Sequence, residues 1–227
     1  DSKRSMSLDP RALSAARLGV FGGTFDPVHN GHLHVALTAL RALDLDHIVF
    51  IPARQSPHKE SGAQATGAER LEMLRLAIES DERLAKMASI WDFELQAEGP
   101  SYTVRTLEEL SDLRSCGGVE GSMFFLMGSD QFDGLPRWKD VERVFRLCHP
   151  CVVLRSGNGT PELENLRGVI SDGLLHKLAE SFLTPDPVDL AATELRQQIG
   201  SAALGSAWIG QPESVAVFIQ TNGLYRV

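Results

Sequence analysis

"GVFGGTFDPVHNGHL", Gly19 to Leu33, holds four glycines, one proline and two histidines between an apolar run and a helical pattern. "LGVF" (Leu18–Phe21) reads as a strand, and Leu33, Ala36, Leu37, Leu40 and Leu43 then recur at helical spacing. The stretch is therefore a strand-to-helix turn that carries two imidazoles, His29 and His32. Gly22 and Gly23 let backbone approach a phosphate closely, and the helix that follows offers free N–H groups and the positive end of its dipole. Taken alone the glycines are equally those of a tight turn, since the stretch has neither a G-x-G-x-x-G nor a P-loop. The histidines add weight to the anion reading. Only Asn30 and Gly31 separate them, so both rings can point at one anion.

The same alternation continues outward. "HIVFIP" (His47–Pro52) is a second strand, stopped by proline. Thr66 and Glu69 form a T-x-x-E capping box, and the helix they start should carry Leu71, Leu74 and Ile78 on one face. "ASIWDFEL" (Ala88–Leu95) reads as a third strand and "YTVRTLEELSDL" (Tyr102–Leu113) as a third helix. "MFFLMG" (Met123–Gly128) and "CVVL" (Cys151–Leu154) are strands four and five. Continuous apolar strands separated by helices imply a parallel sheet covered on both faces. The expected fold is α/β: a Rossmann-like, doubly wound parallel sheet of about five or more strands with a helical C-terminal segment. Residues 156–190 read as irregular, and the tail from Ala191 to Val227 as helical. Ligands of such sheets bind at the carboxyl ends of the strands, and Gly22–His32 lies at such an end.

Composition bounds the function. The chain has 227 residues, 43% hydrophobic and 23% charged, which suits a globular protein with a real core. A net charge of −8 argues against a nucleic-acid or anionic-membrane surface. No run approaches the roughly 18 apolar residues of a membrane span, and "DSKRSMSLDP" lacks the apolar core of a signal peptide. Residues 1–16 read as a flexible extension or an expression remnant outside the fold, and 17–227 as a single domain. Cys116, Cys148 and Cys151 are too few for a disulfide framework. The "CHPC" of Cys148–Cys151 reads as buried or half-buried free thiols, and a reducing cytoplasm is the expected compartment. Metal is the rival explanation of the paired histidines. A zinc site needs a third and fourth ligand, and no H-E-x-x-H or similar spacing lies nearby, so no protein-bound metal is expected.

"GGTFDPVHNGH" resembles the T/H-x-G-H signature of the nucleotidyltransferase superfamily, and within it the chain resembles the bacterial nicotinate-nucleotide adenylyltransferases. "PHK" (Pro57–Lys59) follows the second strand, and "EGPSYTVRTL" matches the family's S-Y-T-x-x-T-L segment. "MGSDQFDGLPRW" resembles G-x-D…L-P-x-W, "TELR" resembles S-S-T-x-I-R, and "AVFIQTNGLY" the closing segment. The ordered set runs from about Leu18 to the C-terminus and is far more specific than a lone H-x-G-H.

The resemblance implies adenylyl transfer from ATP to nicotinate mononucleotide, giving deamido-NAD and pyrophosphate. It implies that His29 and His32 contact ATP phosphates, with His32 on the α-phosphate, and that Lys59 and Arg196 hold the phosphates. Gly22, Gly23, Thr24, Phe25, Gly128 and Thr193 would line the ATP site. Asp130 reads both as a helix N-cap and, by resemblance, as the acceptor for ribose hydroxyls. Tyr102, Thr103, Trp138, Lys139 and Arg155 would bind the mononucleotide: Trp138 under the pyridine ring, Thr103 at a helix start for the carboxylate, Arg155 for the phosphate. Mg²⁺ is expected as the counterion carried with ATP. The chain departs from the family at Ala191-Ala192, where two serine hydroxyls are missing. Oligomeric state is left open. The rivals are phosphopantetheine adenylyltransferase, which shares T-x-G-H but lacks S-Y-T and L-P-x-W, and a non-catalytic nucleotide sensor on the same fold.

Overall fold

The computed structural model describes residues 8–54, 63–154, 161–184 and 210–225. Their order is α1 (Pro10–Ser14), β1 (Arg17–Gly23), α2 (Asn30–Ala42), β2 (His47–Pro52), α3 (Gly67–Glu79), α4 (Glu82–Met87) and β3 (Ala88–Ile90). Then come α5 (Phe93–Gln96), α6 (Thr103–Cys116), β4 (Ser122–Gly128), a 3₁₀ segment (Ser129–Arg137), α7 (Val141–Leu147) and β5 (His149–Val153). A short 3₁₀ turn (Glu164–Leu166), α8 (Asp172–Ala179), β6 (Phe182–Leu183) and α9 (Glu213–Asn222) complete them.

All six strands pair in parallel in the order β3-β2-β1-β4-β5-β6. Successive residues of each strand alternate between two cores. Val20, Val49, Ile51, Phe125 and Met127 face one core, with α1, α6, α7 and α8. Phe21, Ile48, Phe50, Phe124 and Leu126 face the other, with α2, α3 and α9. Two buried faces explain why the strands are apolar throughout rather than alternating. The chain leaves β1 toward β2 on one side and returns to β4 on the other. The carboxyl ends of β1 and β4 therefore flank the point where strand order reverses, where an open α/β sheet has its crevice.

The capping box is present: Thr66 Oγ1 accepts from the N–H of Glu69 at 3.2 Å, and Glu69 accepts from the N–H of Thr66 at 2.7 Å. Three expectations need correction. Residues 8–16 belong to the fold, since Asp9 caps α1, Pro10 opens it, and Leu8, Ala12 and Ala15 are buried. The Arg114 guanidinium donates to the carbonyls of Ala12, Leu13 and Ala15, and so satisfies the end of a helix too short to stand alone. The third strand stops at Ile90 instead of Leu95. Trp91 is buried and stacks on Phe93 at 4.6 Å, Asp92 starts the helical turn α5, and Glu94 accepts from the Thr106 hydroxyl. Burial raises the Glu94 pKa. Within 156–190, α8 and the two-residue β6 are regular, β6 pairing with Val152 and Val153 of β5.

Candidate active site

The turn after β1 is built around Phe25. Its backbone has φ 49°, in the left-handed region, and its ring is 1% exposed between Phe21, Phe50 and His32. A Cβ on Gly23 would stand 3.0 Å from that ring, so glycine is what lets Phe25 fold back. At Gly22 the nearest atoms would be at 3.8 Å, an ordinary contact. Phe25 is thus a core residue whose ring packs against His32, with centroids 5.0 Å apart and 70° between planes.

His29 is the N-cap of α2 and His32 its third residue. Their rings stack with centroids 3.7 Å apart and 28° between planes. The N–H of His29 donates to Nδ1 of His32 at 3.2 Å. An accepting Nδ1 carries no hydrogen, so in the neutral ring the hydrogen is on Nε2, which is then a donor. Gly31 has a role that spacing alone did not reveal: a Cβ there would lie 3.0 Å from Nδ1 of His29, so the His29 ring would have to shift by a few tenths of an ångström. The helix start is less open than expected, because the N–H of Asn30 donates to the carbonyl of Gly210.

Behind this turn lies Arg70, 2% exposed on α3. Its Nη1 donates to the carbonyls of Thr24 and Ala53, both at 2.7 Å, and pins the β1 turn to the end of β2. Burial lowers its pKa, and Asp26 opposes that shift. The signal was present in the sequence: Arg70 falls in the apolar stripe of Met73, Leu74 and Ala77, where a solvated cation has no place. Arg70→Met should lower unfolding free energy by about 2–3 kcal/mol, because two buried carbonyls lose their donor. Urea denaturation checks this, and Arg70→Lys should recover only part, a single ammonium being no substitute for the planar fork.

Across the switch point, β4 ends at Gly128 and runs into the 3₁₀ segment that contains Asp130 and leads to Trp138. The cap residue of that segment is Gly128, so the expectation of Asp130 as an N-cap is corrected. Trp138 is half-buried and meets Phe125 edge-on at 5.5 Å. Tyr102 is the N-cap of α6 and Thr103 its first residue. The Lys139 ammonium sits 4.5 Å over the Tyr102 ring, a cation–π contact that joins the start of α6 to Trp138-Lys139. The structure thus gathers Phe25, His29 and His32 in one cluster and Tyr102, Thr103, Trp138 and Lys139 in a second, all in segments that follow the carboxyl ends of strands. Lys59, Arg155, Thr193 and Arg196 lie outside the described residues.

Cys148 and Cys151 are buried free thiols, and Cys148 donates to the Val144 carbonyl. Burial pushes the Cys151 thiol up to about 12 and raises Cys148 as well, which makes both poor nucleophiles and poor metal ligands. Replacing both with serine should leave turnover within about twofold of wild type. Stoichiometric zinc that disappears in the double variant would contradict this. Among the described residues no three His, Cys, Asp or Glu side chains gather as a metal site, and no helix is long and apolar enough to cross a membrane.

Comparison with known proteins agrees with this fold. The profile of the Cytidylyltransferase-like family matches residues 20–198. A probable nicotinate-nucleotide adenylyltransferase of Desulfatibacillum aliphaticivorans is 37% identical over 92% of this chain and 99% of its own length. One from Chromobacterium violaceum is 37% identical over 93% and 99%. Among solved structures, the Plasmodium falciparum nicotinic acid mononucleotide adenylyltransferase complexed with APC superposes with a TM-score of 0.64. It covers 92% of this chain and 97% of its own, at 15% identity, and so shows the shared fold. The same enzyme complexed with NaAD gives 0.61. The chain belongs to the cytidylyltransferase-like family, among its nicotinate-nucleotide adenylyltransferases.

Proposed function

We propose that the protein transfers the adenylyl group of ATP to nicotinate mononucleotide, forming nicotinate adenine dinucleotide and pyrophosphate as a step of NAD biosynthesis. The observation that carries this is the stacked His29–His32 pair at the sheet's switch point, with its ring hydrogen directed to Nε2 of His32. A phosphate oxygen of the mononucleotide attacks the α-phosphorus. The bond from that phosphorus to the bridging oxygen breaks, and pyrophosphate leaves with the electron pair. The attacking phosphate is largely dianionic at pH 7, with a second pKa of about 6, so no general base is required. Catalysis is then positioning and stabilisation of charge on the α-phosphate, a task for donors. A site of imidazoles and backbone N–H groups fits it.

In this reading His32 donates from Nε2 to the α-phosphate, and His29 supports its ring and contacts the phosphates. Lys59, Arg196 and Thr193 hold the triphosphate, Gly22, Gly23, Thr24 and Gly128 admit it closely, and Asp130 accepts from the ribose. Trp138 carries the pyridine ring, Tyr102, Thr103 and Lys139 surround its carboxylate, and Arg155 takes the mononucleotide phosphate. The one described carboxylate of the β1 turn, Asp26, is occupied by N–H and O–H donors. Asp26 is thereby engaged within the protein, and in this reading Mg²⁺ accompanies ATP on phosphate oxygens and water.

Pyrophosphate release with ATP and, in turn, nicotinate mononucleotide, its amide and phosphopantetheine tests the proposal. Release with the nicotinate acceptor is expected. Silence with all three would favour a nucleotide sensor, and release with phosphopantetheine alone would reassign the acceptor.

A further inference from the structure

Two hydrogen bonds tie the C-terminal helix to the turn that carries His29 and His32, one from each flank of α9. Ahead of α9, the carbonyl of Gly210 accepts from the N–H of Asn30. Behind it, the Tyr225 hydroxyl donates to Oδ1 of Asp26. Asp26 also accepts from the backbone N–H of Gln64 at 2.6 Å and of Ala65 at 3.1 Å. One carboxylate thus joins the β1 turn, the approach to α3 and the C-terminal segment.

Tyr225 reaches Asp26 from a backbone with φ 56°, a region bulky residues rarely adopt and hold only where their surroundings dictate it. Burial and the bond to Asp26 raise the hydroxyl's pKa above the ordinary tyrosine value, so it stays a donor. The helix behind it is well anchored. Val215 and Ile219 are buried in the core that contains Phe25 and Leu33, and the Ser214 hydroxyl donates to the Leu76 carbonyl at 3.3 Å. The segment from Thr24 to His29, by contrast, contains no helix or strand of its own. Asp26 follows Phe25, whose ring packs nearly perpendicular to the His32 ring with centroids 5.0 Å apart, so displacement at Asp26 reaches the imidazole through a packed contact.

We infer that Tyr225 is a positioning residue for adenylyl transfer: together with Gly210 it clamps the β1 turn and holds the His32 donor in place. The inference rests on the function proposed above. A transition-state donor contributes to rate only while it is held in its productive geometry, whereas a purely structural tyrosine would alter stability and leave turnover per folded molecule unchanged.

Tyr225→Phe removes the hydroxyl and keeps the ring. Measured well below the melting temperature, kcat should fall about tenfold with KM for the mononucleotide within about twofold. Hydrogen exchange at the amides of Asn30 to Leu33 should quicken by about tenfold, with β4 amides unchanged. In an Asp26→Ala background, which already removes the acceptor, adding Tyr225→Phe should cost little more, because the hydroxyl has lost its partner. Wild-type exchange at those amides would overturn the clamp, and faster exchange with unchanged kcat would overturn its role in the reaction. Wild-type protein that releases no pyrophosphate would instead refute the proposed function, and the exchange arm would still decide whether the clamp exists.

Discussion

His32→Ala is expected to lower kcat by about 10²–10³-fold while the protein stays folded, the usual cost of losing one preorganised transition-state donor. The geometry makes the effect specific to this ring. Nδ1 is engaged by the His29 N–H, so Nε2 is the hydrogen-bearing atom, and the Phe25 ring and the His29 face limit how the imidazole can turn. The alanine variant also loses the acceptor for the cap N–H, which should reduce stability by about 1 kcal/mol. That is far too little to empty the folded state at room temperature. Circular dichroism and a thermal melt separate the two effects, and kcat is then compared at equal folded fraction. Turnover within about threefold of wild type would remove His32 from the reaction.

The acid mononucleotide is expected to be used at least about 10²-fold more efficiently than its amide, as kcat/KM. The two differ by one carboxylate against one neutral amide. The start of α6 presents backbone N–H groups and the Thr103 hydroxyl, with the Lys139 ammonium held near by its contact with Tyr102. A carboxylate only accepts hydrogen bonds, so N–H donors serve it fully and offer nothing to the amide's own N–H₂. Bonds to an ionised acceptor are also about twice as strong as neutral ones. Thr103→Ala should narrow the preference only in part, since the backbone donors remain. Trp138→Ala should weaken both acceptors alike, because a stacked ring does not read the carboxylate. Steady-state kinetics with both mononucleotides decide the matter, and equal efficiency would overturn this account of the pocket while leaving adenylyl transfer in place.

Much of the architecture was open to reading because a doubly covered sheet writes itself locally. Every residue of β2 is buried, so its apolar run could be nothing but a central strand, and the same holds through most of β4 and β5. The T-x-x-E box announced α3, and the turn with His29 and His32 announced where β1 ends and α2 begins. Elements that depend on distant partners were not legible. The helix of the Leu8–Ala16 segment, Pro10–Ser14, is too short to show a helical period, and it is completed by Arg114 from α6. The β3 strand shortens because Trp91 stacks on Phe93, and β6 is only two residues long.

By itself, then, the sequence determined the alternation of strand and helix and the parallel sheet, and it marked the place of the candidate site, all of which follow from short-range period and residue type. Only the tertiary structure decided how the site is held. Arg70 meets Thr24 across 46 residues and Tyr225 meets Asp26 across 199. The Asn30 N–H is closed by Gly210, and Gly31 leaves room for the His29 ring, a contact the sequence cannot announce. A polar group's periodicity tells whether it is buried, but the partner that makes burial tolerable comes from wherever the chain happens to return.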